Sequence, residues 1–175
     1  PVLHDFLTGY KQGATYIDPD TKVLVSFAGT FNDPLKGKEL ALAQYSQGAD
    51  IIMNVASNTG NGVLEAAKDS QKYAIGVDIN QDDIYPGFIL TSMLKRVDVG
   101  TYEVIKSVAE DKFKGGEILK MDVANGGIGL TDMAVMKQAL GDKFPANILA
   151  KIQELTEKIK SGEIKVESYP GFKFE

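Results

Sequence analysis

The sequence predicts an α/β fold built on a parallel sheet, and three observations carry that expectation. Short apolar runs of strand character alternate with segments whose apolar residues recur at helical spacing. Capping and turn residues stand at the junctions, most clearly Asp33-Pro34, Gly48 and Gly115-Gly116. The chain has 175 residues, 43% hydrophobic and 25% charged. That composition suits one globular unit, and a chain of this length can bury about two-thirds of its unfolded surface.

Leu3, Phe6, Leu7, Tyr10, Ala14 and Ile17 predict an amphipathic helix over residues 2–17. Asp18, Pro19 and Asp20 make the turn after it. Residues 22–28 read as a buried strand of the parallel type. Asp33 is a good N-cap and Pro34 a good first helical residue, so a helix is expected to run to about residue 47, with Gly48 as its stop. The alternation then repeats. Residues 50–56 are a strand, and the polar stretch 58–62 leads into a helix carrying Val63, Leu64, Ala66 and Ala67. Residues 73–78 are the next strand, 79–87 a polar loop and 88–94 an apolar run. Tyr102, Ile105, Val108 and Ala109 mark a helix over about 98–113, as core packing rather than a cofactor box. A strand at 118–123 and a glycine-rich loop at 125–129 follow, in a region where the alternation becomes irregular. Ile148, Ile152, Leu155 and Ile159 define a last helix that stops at Ser161-Gly162, and the tail 163–175 reads as short strand plus turn.

Composition excludes several kinds of function. With no cysteine there is no disulfide framework, thiolate metal site or cysteine nucleophile, and the single histidine, His4, cannot build a multi-histidine metal centre. Net charge is −5, with 19 basic and 24 acidic residues interspersed and no Lys/Arg stripe, so nucleic acid is not an expected partner. No apolar run approaches the length of a membrane span. The first residues already read as folded structure without a Met start or an apolar leader, so residues upstream are expected to be missing.

In open α/β sheets ligands bind beyond the carboxyl ends of the strands. Three such ends are polar here, at residues 30–33, 57–61 and 78–81, and they converge on one rim with a single aromatic, Phe31. No P-loop or nucleophile elbow is present, and Glu65 stands where a dinucleotide fingerprint needs its third glycine. Only carboxylate chemistry through Asp33, Asp78, Asp82 and Asp83 would leave room for an enzyme, so no catalysis and no cofactor are expected. A binding site fits the rim better, because an ionised aspartate accepts hydroxyl hydrogen bonds and an exposed ring stacks on a flat ligand.

Four blocks of sequence carry a family likeness. They are Gly29 to Pro34 with Lys36 and Lys38, Gly48 to Ile52 followed by Asn58 to Val63, Tyr73 to Asp78 with Gln81, and Leu90 to Asp98. In order and spacing they resemble the basic membrane protein group of bacterial substrate-binding lipoproteins, whose characterised members bind purine and other nucleosides for ABC-type import. The chain resembles only the C-terminal half of such a protein. The resemblance implies a type I periplasmic-binding fold, two Rossmann-like lobes hinged by three crossovers. Residues 1–94 would be the second lobe, 95–115 a crossover and helix returning to the missing first lobe, and 116–175 a hinge-crossing and C-terminal segment. It also implies a purine nucleoside as ligand and an ABC permease as partner. The location would be extracytoplasmic, the membrane being reached only through a lipid anchor on the missing N-terminal part.

The resemblance assigns Phe31 to stacking on the base, Asp78 to accepting from ribose hydroxyls, Lys95 to donating to ribose oxygens, and Gly60 to bringing a backbone N–H to the purine edge. Each has a plainer reading beside it. Phe31 could cover apolar surface, Asp78 could be a turn acceptor, Lys95 a solvated lysine, and Gly60 a point of close backbone approach. Asn32 and Asp33 read as caps, His4 carries no expected function, and residues 158–165 read as a solvated helix end. An alternative of another class is the ligand-sensing domain of a transcriptional regulator, which shares this fold. A weaker one is a flavodoxin-like enzyme or receiver, whose acidic cluster at the first strand's end is lacking. Without the first lobe, the stripe of Tyr102, Ile105, Val108 and Ala109 is expected to promote self-association, or the helix to fold back onto its own sheet.

Overall fold

The computed structural model describes residues 2–169, and the end of the predicted tail lies outside them. The elements run α1 (Val2–Ile17), α2 (Pro34–Ser46), β1 (Ile51–Met53), α3 (Thr59–Asp69), β2 (Tyr73–Asp78), β3 (Ile89–Lys95), α4 (Val97–Ala109), β4 (Ile128–Leu130), α5 (Ala134–Leu140) and α6 (Ile148–Lys160). A short 3-10 turn at Gly141–Lys143 follows α5. Among the described residues the sheet has the order β1-β2-β3-β4. β1 and β2 pair in parallel, as do β2 and β3, whereas β4 lies antiparallel to β3 through Leu94↔Gly129 and its neighbours. The α/β class therefore holds, with a sheet that is mostly rather than wholly parallel.

Local signals place most elements. Asp33 caps α2 by accepting the Lys36 N–H at 2.9 Å, and Pro34 opens the helix where a missing N–H costs nothing. The core gathers around α3, whose Leu64, Ala66 and Ala67 are buried against Ala41 and Tyr45 of α2 and Ile52, Ala74 and Ile89 of the strands. Tyr45 donates its hydroxyl to the Tyr73 carbonyl at 2.8 Å, and burial raises its pKa above the usual phenol value.

α2 and α3 approach to backbone contact. A Cβ on Gly37 would strike the Thr59 carbonyl, and one on Gly62 would strike the Pro34 carbonyl, so neither position tolerates a side chain without moving a helix. Outside the core, Lys38 ties the same two helices by pairing with Glu65 at 2.8 Å and Asp69 at 2.6 Å.

Several sequence expectations fail, among them core packing by the α4 stripe, since no residue of α4 is buried. Residues 22–28 are extended but pair with nothing, and Leu24, Val25 and Phe27 are 42%, 47% and 61% exposed instead of buried. A strand needs a neighbour as well as β-forming residues, and none lies beside this segment. Residues 118–123 are not a strand either. The Asn125 carboxamide accepts the Asp122 N–H and donates to the Lys120 carbonyl, so a local polar loop takes the backbone groups a ladder would need. The expected glycine-rich loop instead contributes β4. Residues 163–169 form no strand. They strap onto α1, where Gln12 bonds the Lys165 carbonyl and the Glu167 N–H, and Asp5 accepts the Tyr169 N–H. His4 stacks on Phe27 and lies against Tyr169.

Gly62→Ala is expected to destabilise the chain by about 1–3 kcal/mol, since the new methyl meets a backbone carbonyl that cannot yield without shifting α2. Urea unfolding of the two proteins measures this, and equal midpoints would show that the helices part easily.

Candidate functional site

The loop that carries Phe31 is held by the first residue of α3. Thr59 is buried; its hydroxyl accepts the Asp33 N–H at 2.8 Å and donates to the Thr30 carbonyl at 3.2 Å. Its own N–H donates to the Phe31 carbonyl at 3.1 Å. Three bonds to one residue leave Phe31 little freedom in its backbone while its ring stands 56% exposed. Asn58 joins the same rim, donating to the Asn32 carboxamide oxygen at 2.7 Å and accepting from Asn61 at 2.9 Å.

Asp78 ends β2 with φ at 68°, and the Ile79 N–H bonds the Val77 carbonyl across it at 2.8 Å. That bond across a residue with positive φ describes a γ-turn of the strained kind. The loop beyond is anchored beneath it. Gln81 accepts the Val77 N–H with its side chain at 2.9 Å, and Ser92 accepts the Gln81 N–H at 3.0 Å and donates to Asp82 at 2.6 Å. Asp82 is 1% exposed. Ser57, past the end of β1, also has positive φ, at 51°. Strained non-glycine residues at adjacent strand ends are a recognised mark of functional sites.

These pieces meet at one recess of about 130 Å³, lined by Phe31, Ser57, Asp78 and Lys95 together with Val55, Val77 and two residues of α1, Leu3 and Phe6. The carboxylate of Asp78 and the ammonium of Lys95 make no hydrogen bond or ion pair among the described residues. The recess thus offers a free acceptor, a free donor and an exposed ring. Ligand pockets usually enclose about 300–1,000 Å³, so this recess is smaller than a usual ligand pocket. A larger cavity exists beside β1, but its lining is mainly apolar and brings no such set of free polar groups together.

Three of the four residues singled out in the sequence are therefore together. The fourth, Gly60, is not among the residues lining the recess. It is buried in the first turn of α3, its N–H donates to the Ser57 carbonyl at 2.9 Å, and a Cβ there would strike the side chain of Asn54. Ser57 was missed; its signal was its place at a strand's carboxyl end. Of the four carboxylates that might have served catalysis, Asp33 is a helix cap and Asp82 is buried on Ser92. Among the described residues no cluster of carboxylates and histidine has the spacing of a metal site.

The Bmp family model, described as ABC transporter substrate-binding protein PnrA-like, matches residues 1–169. The chain belongs to this family. Its members are solute-binding components of transporters and not enzymes. It is 34% identical over 168 residues to basic membrane protein D of Borreliella burgdorferi, covering 94% of the chain and 48% of the relative. It is 34% identical over 148 residues to the ABC transporter nucleoside-binding protein BmpA of Lactococcus lactis, covering 74% of the chain and 42% of the relative. A solved solute-binding protein of an ABC transporter system from Aeropyrum pernix superimposes with a TM-score of 0.72 at 28% identity, covering 93% of this chain and 51% of that one. The chain spans about half the length of the curated relatives it matches.

Asp78→Gly is expected to be more stable than Asp78→Ala by about 1–2 kcal/mol, because only glycine adopts positive φ without a Cβ penalty. Thermal and urea unfolding of the pair measures the strain held at this position. Equal stability would remove the strain argument.

Proposed function

We propose that this chain is half of a nucleoside-binding protein of an ABC importer, with a purine nucleoside closed between two lobes. The convergence of Phe31, Asp78 and Lys95 on one open recess supports the reading most directly. Phe31 stacks on the base, Asp78 accepts from the ribose hydroxyls, and Lys95, the last residue of β3, donates to ribose oxygens. The name of the Lactococcus relative supports the ligand class, and the lipoprotein names among the Pyrococcus relatives support anchorage outside the cytoplasmic membrane. Delivery to a permease follows from the same reading.

Residues 1–94 act as the second lobe and 95–115 as the crossover and helix that return to the first. Residues 116–175 cross back. The exposure of Tyr102, Ile105 and Val108, at 62%, 63% and 55%, fits a helix whose cover belongs to that first lobe. Burial of a few hundred Å² at about 25 cal/mol per Å² would amount to several kcal/mol. The isolated chain is therefore expected to gain mass with concentration in light scattering, and Ile105→Glu to reduce that gain. A mass that Ile105→Glu leaves untouched would remove α4 from the interface.

In the full-length protein, Asp78→Ala is expected to weaken nucleoside binding by about 2–3 kcal/mol and Phe31→Ala by about 1–3 kcal/mol. The free base should feel Asp78→Ala less than the nucleoside does. Calorimetry with inosine, adenosine and guanosine reads all three effects, and equal losses for base and nucleoside would take the ribose away from Asp78. The chain by itself is expected to bind these nucleosides no tighter than about millimolar, with each tenfold worth about 1.4 kcal/mol. Submicromolar binding by the chain alone would overturn the two-lobe reading.

A further inference from the structure

The glycine-rich turn ahead of β4 belongs to neither the core nor the recess. The sequence holds two Asn-Gly pairs, Asn61-Gly62 and Asn125-Gly126. In such a pair the glycine nitrogen can attack the asparagine side-chain carbon and close a five-membered imide, because glycine has no side chain to obstruct it. The fold treats the two pairs differently. Asn61 lies in the first turn of α3, and Gly62 is buried where even a Cβ would strike the Pro34 carbonyl. A helical ψ of about −42° does not bring the next nitrogen onto the side-chain carbon, and the packing of α3 on α2 prevents the swing that would.

Asn125 and Gly126 stand exposed in a turn. The Gly126 N–H makes no hydrogen bond among the described residues, so the attacking atom is free. The Asn125 carboxamide, by contrast, is held. Its oxygen accepts the Asp122 N–H at 2.8 Å and the Gly127 N–H at 3.2 Å, and its nitrogen donates to the Lys120 carbonyl at 2.7 Å. The bond to Gly127 folds the side chain back over the Gly126 peptide. Two N–H groups on the oxygen polarise the carbon under attack. They are also in place for the negative charge that the oxygen carries as the new bond forms, in the manner of an oxyanion hole. The donors that fix this loop therefore also favour its chemical change.

We propose that Asn125 is a self-modification site, which converts without an enzyme to aspartate and isoaspartate and so loosens the β3–β4 pairing beside Lys95. The Gly126 nitrogen gives its proton to hydroxide and bonds to the Asn125 side-chain carbon. The bond from that carbon to the carboxamide nitrogen breaks, and ammonia leaves. Water then adds to either carbonyl of the imide and opens one C–N bond, so the net change is water in and ammonia out. Opening at the side-chain carbonyl restores the backbone as aspartate. Opening at the main-chain carbonyl routes the backbone through the side chain as isoaspartate. Either product replaces the donor to the Lys120 carbonyl by a carboxylate, which leaves two oxygens facing each other. The neighbours of this loop depend on it, since the Gly127 carbonyl accepts the Arg96 N–H at 2.8 Å and Ile128 pairs with Lys95. No ligand enters the chemistry, which is independent of the nucleoside reading.

Peptide mapping by mass spectrometry tests this on the chain incubated at neutral pH and on the same chain unfolded in guanidinium chloride, both in heavy-oxygen water. Unfolded, the two pairs are expected to convert at similar rates. Folded, Asn125 should convert at least as fast as it does unfolded, whereas Asn61 should slow by about 100-fold, because it must wait for α3 to open. Each product should carry one heavy oxygen at residue 125, with isoaspartate among them, since direct hydrolysis gives aspartate alone. Slower conversion of Asn125 folded than unfolded, or aspartate without isoaspartate, would overturn the proposal. Asn61 converting as fast as Asn125 in the folded chain would show that the fold makes no such distinction, also against it. The modified chain has one more negative charge and separates by anion exchange. Hydrogen exchange at the Arg96 amide is expected to be about tenfold faster in it than in the unmodified chain, with β2 unchanged. Equal exchange at Arg96 would remove the effect on the β3–β4 pairing.

Discussion

The backbone contact between α2 and α3 is the constraint on which the rest of the molecule depends. Gly37 and Gly62 let the two helices meet without intervening side chains, and the small Ala41, Ala66 and Ala67 carry the same closeness into the core. That approach puts Thr59 beside the loop before α2. Its hydroxyl and N–H then take the loop's polar groups, which are too close to protein to be left to water. Packing thus determines the backbone from which Phe31 projects. The glycines of the Thr59–Gly62 stretch serve helix packing, although a glycine-rich turn ahead of a helix invites a phosphate-binding reading.

On the other side of the recess the polar network of Gln81, Asp82 and Ser92 does comparable work. It folds the loop after β2 back under the strand and holds Asp78 at a positive φ that aspartate seldom adopts. The two halves of the recess are therefore built by different means, one by helix packing and one by buried hydrogen bonds. Both leave the working groups exposed and unpaired. A free carboxylate, a free ammonium and an uncovered ring gain little from water-exposed contact with a ligand. Their value rises when a second surface removes the water, as the proposed closure of two lobes would do.

The unpaired segment at residues 22–28 and the bare face of α4 belong to the same account. Each is rich in apolar side chains that stand exposed, which an isolated unit would ordinarily hide. Mean composition gives no sign of this, because the chain as a whole is ordinary. The signal is positional, in strand-forming residues without a ladder and a helix without a buried residue.

Much of this was legible in the residues themselves. Asp33-Pro34 announced the start of α2, the run Tyr73–Asp78 gave β2 its bounds, and Ile148 to Ile159 gave α6 its register, because caps, periodicity and stop signals act within a few residues. The same local logic put Phe31 and Asp78 on the polar rim at the strand ends, and the resemblance of the family blocks added Lys95. It could not tell that residues 22–28 lack a partner, that 128–130 find one on β3, or that Gly60 turns into Asn54 and away from the recess. It passed over Ser57, whose positive φ comes from the turn into α3. Pairing, close approach and backbone strain are set by residues distant in the chain, so they were decided only when the tertiary structure brought those residues together.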